Sequence, residues 1–158
     1  MEATLIFHDD PQYDKEVFIE DFDFDTYEYP LDVYSLKIIY EDFNFLPHSI
    51  ERFANLVCLI INYNKELEFI SDNLGKLTQL RHLDFESCKL SRLPDSIKNL
   101  TEVEFLHLAG NRFEEIPESI FNLTKLERLF LKGNNINFIP EGINKLYRLK
   151  DLDLDDDD

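Results

Sequence analysis

Four side chains near the middle of the chain have the types and spacing of a metal or acid–base site: His82, Asp84, Glu86 and His107. Alternate residues of a strand share one face, so His82, Asp84 and Glu86 would project together, with His107 on a neighbouring strand. Their imidazoles and carboxylates could supply two ligands to a divalent ion. A flat strand face splays its side chains apart, however, and nothing in the sequence supplies the groups that would orient such ligands. The four therefore read as a polar patch that hydrogen-bonds a partner. Asp21-Phe22-Asp23-Phe24-Asp25, with Asp32 eleven residues after Asp21, is spaced like part of a calcium loop. Thr26 stands where that loop needs glycine and Pro30 interrupts it, so the segment reads as an acidic, solvated stretch.

Other chemistries find less support. No G-x-S-x-G, P-loop, H-E-x-x-H or Cys/His nucleophile arrangement occurs, which points away from an enzyme and from any cofactor. Asn99 and Asn122 each open an Asn-Leu-Thr sequence, which matters only for a protein exported from a eukaryotic cell. Two cysteines, Cys58 and Cys88, cannot form a disulfide framework. The opening MEATLIFHDD lacks a basic region and a long apolar stretch, so it does not read as a signal peptide. The expectation is a cytoplasmic protein without a membrane span, although an exported bacterial protein would share these features.

The net charge of −17 is unevenly placed. Residues 1–32 hold eleven acidic side chains and one lysine, a balance of −10. Residues 151–158 add six aspartates and no base, while residues 33–150 balance to −1. Nucleic acid is a poor candidate partner, because phosphate binding needs clustered Lys and Arg. Strongly acidic ends favour a basic protein or peptide and would speed its encounter.

What positions these residues is a repeat. From residue 80 the chain falls into 23-residue units: LRHLDFESCKLSRLPDSIKNLTE, VEFLHLAGNRFEEIPESIFNLTK and LERLFLKGNNINFIPEGINKLYR, then the opening LKDLDLDDDD. Residues 33–55 give an earlier unit, and residues 56–79 give one longer by a residue near Lys65-Glu66. Each unit opens on a strand whose leucines or isoleucines point inward, such as Leu83/Phe85 and Leu106/Leu108, and these should stack into columns. Asn64, Asn111 and Asn134 stand where the chain leaves the strand, with Cys88 at the same position in one unit. A buried amide there can satisfy backbone groups of the next unit. Glu41 and Asp157 break the pattern, so this ladder is expected to fray at both ends. Apolar residues three apart, as in Ile97/Leu100 and Ile120/Leu123, suit a short 3-10 turn.

The pattern LxxLxLxxNxLxxLPxxIxxLxx resembles the leucine-rich-repeat family, in its typical 23-residue class, over residues 33–154. The resemblance implies an α/β right-handed solenoid of five full repeats and a partial sixth, with a concave parallel β-sheet and short 3-10 or helical convex segments. It also implies binding through the concave sheet. Residues 1–32 would form an acidic, aromatic N-terminal cap, with strands over Thr4–Phe7 and Glu16–Phe24 joined by a turn at Asp9-Asp10-Pro11. Residues 155–158 would form an acidic tail, with no cap visible behind the last strand.

On the concave face, large apolar and aromatic groups fall at positions that should be wet. Ile39, Tyr40, Ile60 and Tyr63 form one group on the first two repeats, and Phe105 and Phe130 form another. His82, Asp84, His107 and Arg128 lie between and beside them. Gly110 and Gly133 would leave room there for a partner's side chain. Exposed aromatic patches usually mark interaction sites. The expected function is thus a protein-interaction module. The alternative is self-association through the uncapped C-terminal edge.

Overall fold

The computed structural model describes residues 1–7, 15–19, 22–28 and 30–155. The expected turn at Asp9-Asp10-Pro11 and the tail residues Asp156, Asp157 and Asp158 lie outside these. The repeating inward pairs fold into one large sheet. Its parallel strands are β3 (Val33–Ile39), β5 (Cys58–Asn62), β7 (His82–Asp84), β8 (Phe105–His107), β9 (Arg128–Phe130) and β10 (Asp151–Asp153). Each pairs with the next in strict register, so that Leu36, Leu59, Leu83, Leu106, Leu129 and Leu152 face one another in turn. The first five of these leucines have no exposed surface, and burying each contributes about 2 kcal/mol.

Five 3-10 turns return the chain: His48–Arg52, Asp72–Lys76, Asp95–Asn99, Glu118–Asn122 and Glu141–Lys145. Proline precedes four of them, where its fixed φ suits the extended entry. Ser71 takes its place in the second repeat. Its hydroxyl accepts from the Asn73 N–H at 3.1 Å and meets His48 Nδ1 at 2.6 Å. A small second sheet, unannounced by the periodicity, pairs β4 (Phe45–Leu46) with β6 (Phe69–Ile70) in parallel on the return side of the first two repeats.

Ahead of the repeats the sheet continues with reversed polarity. The strands β1 (Ala3–Phe7) and β2 (Lys15–Ile19) form an antiparallel hairpin, and β1 pairs antiparallel with β3. The second strand is shorter than the run Glu16–Phe24 suggests, because Phe22 and Phe24 leave the sheet to pack on Phe53. Both are nearly buried, with ring centroids 6.0 and 5.9 Å from Phe53. Asp23 and Asp25 between them face water. Arg52 holds this segment from below: its guanidinium donates to the carbonyls of Phe24 and Tyr27, each at 2.8 Å, and to that of Asp25.

The asparagine ladder forms, but it points the other way from the expected direction. Asn111 Nδ2 donates to Phe85 O at 2.7 Å, and its Oδ1 accepts from the Leu90 N–H at 3.0 Å, so its partners outside its own unit lie in the preceding one; within its own unit it donates to Leu108 O at 3.0 Å. Asn64 and Asn134 likewise reach back, to Ile38 O and Leu108 O. The amide sits just past its strand, where the nearest unpaired groups belong to the unit already laid down. At the N-terminal end Glu41 does not fray: its N–H donates to Asn64 Oδ1 and its carboxylate accepts the Glu2 N–H, both at 2.8 Å. Cys88 supplies only a thiol donor, 3.3 Å from Ile61 O.

Asn111→Ala should therefore cost about 3 kcal/mol in urea unfolding, since it strands buried groups on two coils. Cys88→Ala should cost about 1 kcal/mol, because the thiol's hydrogen bonds are weak. Equal costs would remove the amide ladder from the account of stability.

Candidate functional site

Strict register places like positions of successive strands about one strand spacing apart, so side chains on the outer face stack as rungs. His82, Phe105 and Arg128 form one such stack. The imidazole lies parallel to the Phe105 ring at 4.1 Å, and Arg128 Cζ stands 4.9 Å over that ring's centroid. The next column brings His107 5.1 Å from Phe130, edge to face, while Phe105 and Phe130 meet at 5.4 Å. These residues form one continuous aromatic surface on β7, β8 and β9. Both phenylalanines and both histidines are half-buried, and Arg128 is exposed.

Asp84 occupies a different environment from the one its alternation implies. It is 8% exposed, and its Oδ1 lies 3.2 Å from His107 Nδ1 and accepts the Glu86 N–H at 3.0 Å. Burial pushes its carboxyl up, but hydrogen bonds from His107, Asn62 and that amide outweigh burial and hold it below the usual carboxylate value. His107 is raised above the usual imidazole value chiefly by the same hydrogen bond. His82 is lowered, chiefly by burial. Glu86 turns away from this group to accept the Tyr63 hydroxyl at 3.2 Å. Asp84 thus pairs with His107, the Glu86 carboxylate with Tyr63, and His82 stacks on Phe105, and no group of three or more potential ligands is arranged for a metal among the described residues.

The second cluster lies on the first two repeats. Tyr40 and Tyr63 stack at 5.1 Å with 21° between ring planes, and Ile39 and Ile60 on the strands before them are half-buried. A separation in space accompanies the separation in sequence: none of the described ring contacts joins this pair to the Phe105 group.

Sequence reasoning missed the backbone at the strand exits. Tyr40, Tyr63, Ser87, Gly110 and Gly133 all have positive φ, between 55° and 72°. This conformation accounts for the two glycines, which L side chains would strain. A side chain would also be crowded there: a Cβ on Gly110 would stand 3.0 Å from Ser87 Oγ, and one on Gly133 3.3 Å from the Gly110 nitrogen. Glycine was the only available signal, and it is absent from the first three exits. Asn62 was also missed; it is buried, and its side-chain oxygen accepts the Glu86 N–H at 3.2 Å.

A parallel sheet with an asparagine ladder, stacked leucine columns and 3-10 returns defines a leucine-rich-repeat solenoid. The family model described as a leucine-rich repeat region matches residues 32–158, and the chain belongs to this family. No curated protein matches its sequence. It is similar in structure to a leucine-rich-repeat protein of Leptospira interrogans, at 29% identity and a TM-score of 0.57, over 72% of this chain and 34% of that one. The chain thus spans about a third of that relative's length. It shares its fold with the ectodomain of the receptor kinase SOBIR1 from Arabidopsis thaliana, at 19% identity and a TM-score of 0.68, over 96% and 78% of the two chains. A third similar structure is the ectodomain of the receptor kinase GASSHO1/SCHENGEN3 from the same plant, in complex with CASPARIAN STRIP INTEGRITY FACTOR 2. It is 25% identical with a TM-score of 0.54, over 78% of this chain and 18% of that one. No helix among the described residues is long and apolar enough to cross a membrane.

The Asp84–His107 pair sets a pH dependence. His107 is raised above 6.5, so its stabilisation is complete below 6.5 and fades as pH rises through the higher folded value. Asp84 is lowered below 3.8, so its contribution is present above 3.8 and is lost only as pH falls through the folded value. His82 opposes His107: its contribution is present above 6.5 and is lost as pH falls through its lowered value. In a His82→Gln background, His107→Gln should cost more stability at about pH 5.5 than at about pH 8.5. Urea midpoints at the two values check this, and a pH-independent cost would sink it.

Proposed function

We propose that the protein is an interaction module whose outer, concave sheet face takes an extended segment of a protein or peptide. The observation that carries this reading is the half-buried aromatic surface of His82, Phe105, His107 and Phe130, with Arg128 at its edge. Aromatic and arginine side chains of this kind dominate binding energy at interfaces. The ring contacts and the Asp84–His107 hydrogen bond hold the surface in one shape before a partner arrives, which limits the entropy lost on binding. Ile39, Tyr40, Ile60 and Tyr63 extend the same face toward the N-terminus. The similar plant ectodomain in complex with a named factor supports a binding role for a chain of this fold. The acidic ends favour a basic partner, as the charge balances of −10 over residues 1–32 and six aspartates over 151–158 indicate. The cytoplasmic placement rests on the two free thiols, Cys58 and Cys88.

Joint replacement Tyr63→Glu and Phe130→Glu should remove the partners recovered from lysate by the wild-type protein, with circular dichroism unchanged. An unaltered set of partners on a folded variant would refute the reading.

One observation favours a second reading, docking of a second copy at the C-terminal end. Leu152 is 36% exposed, although Leu129 one strand earlier has no exposed surface, and nearby Phe138, Ile139 and Tyr147 are 71%, 47% and 72% exposed. Asp151 and Asp153 on the same strand repel a like edge, as charge on edge strands does. Self-association by this route should strengthen with salt. Light scattering showing a strict monomer across micromolar to millimolar concentrations, in low and high salt, would exclude it.

A further inference from the structure

The first two coils carry tyrosine where the later ones carry Ser87, Gly110 and Gly133. Tyr40 and Tyr63 stand at φ 61° and 56°, a left-handed conformation that disfavours side chains with a Cβ. Large residues held at such positions point to a use that the backbone does not supply. Tyr63 has its own partners: its ring stacks on Tyr40 and its hydroxyl donates to Glu86. Tyr40 is the end ring of the stack and is 75% exposed. Because β1 borders β3 on the side away from β5, Tyr40 looks toward the start of β1. A cleft of about 290 Å³ lies there, lined by Glu2, Ala3, Thr4, Lys37, Ile39 and Tyr40.

Two carboxylates border this cleft, Glu2 in its lining and Glu41 beside Glu2, against the one ammonium of Lys37. Glu41 is held in place, since its carboxylate accepts the Glu2 N–H at 2.8 Å. An aromatic face bordered by carboxylates suits a cation that can lie flat and fork. Guanidinium meets both demands, whereas an ammonium is more strongly hydrated and has no planar fork. Among the described residues the contact already occurs, with Arg128 over Phe105 at 4.9 Å and Arg92 over Phe69 at 5.5 Å.

We propose that the open face of Tyr40 and the adjoining cleft receive an arginine side chain of the partner, with its guanidinium on the ring and forked to Glu2 or Glu41. This deepens the interaction-module reading and rests on it: it assigns the basic group of the partner to a place on the face.

The probe is the peptide acetyl-Gly-Arg-Gly-amide, compared with its citrulline counterpart, which keeps the shape but lacks the charge. Titration into the whole chain, followed by the tyrosine ring signals in NMR, should shift Tyr40 and Tyr63 saturably with the arginine peptide. The citrulline peptide should bind about threefold to fivefold more weakly, as expected for one exposed cation–π contact. Tyr40→Gly keeps the left-handed backbone accessible, so the fold survives and its loss of affinity should be of the same size. No shift, equal response to citrulline, or full affinity in Tyr40→Gly overturns the arginine site. If that occurs while Phe130→Glu alone still abolishes partner recovery, the interaction face stands without it. If the peptide binds as expected but Phe130→Glu changes no partner, the face reading fails instead.

Discussion

Parallel strands in unshifted register are the constraint on which the rest of this structure depends. At about 4.8 Å between strands, whatever stands at one position in one coil lies against its counterpart in the next. Inward positions therefore become leucine columns, the strand-exit amide becomes a ladder, and outward positions become stacks. His82 on Phe105 and Tyr40 on Tyr63 are consequences of the same spacing that buries Leu59 on Leu83. A single coil could not bury its own inward face, so stability and surface are made together.

The start of the solenoid is treated differently from its interior. The hairpin of β1 and β2 turns the sheet antiparallel, and Phe22, Phe24 and Tyr27 close over Phe53. Arg52 ties the carbonyls of Phe24, Asp25 and Tyr27 in that loop. The far end has neither device within the described residues. Leu152 shows this most clearly, since it is chemically identical to Leu129 and differs only in lacking a neighbour above it.

Much of this was legible in the sequence. The 23-residue period fixes which residues face inward, and the structure keeps that register from Ser35 through Asp153. The 3-10 returns were legible from the three-residue apolar spacing that follows each strand. What was not legible depends on partners rather than period. Asp84 alternates as a wet residue, but contacts with His107 and Asn62 on its flanking strands bury it. Asn111 announces a ladder without announcing its direction, because the sequence does not say which neighbour has unpaired groups. The left-handed exits are visible through Gly110 and Gly133 and hidden at Tyr40 and Tyr63, since only glycine marks that conformation in a sequence. The second strand of the hairpin ends early because burial of two phenylalanines outweighs their strand preference.

Cys88 interrupts the amide ladder near the middle of the solenoid. Its thiol donates weakly to Ile61 O and cannot offer the strong acceptor that Asn64, Asn111 and Asn134 present. Other side chains tie the coil of Tyr63 to the coil of Phe105 through the coil of Cys88: Asn62 Oδ1 accepts the Glu86 N–H, the Tyr63 hydroxyl donates to Glu86, and Asp84 accepts from His107. The coil that breaks the buried ladder is thus sutured on its outer face, by side chains that run from one aromatic cluster to the other.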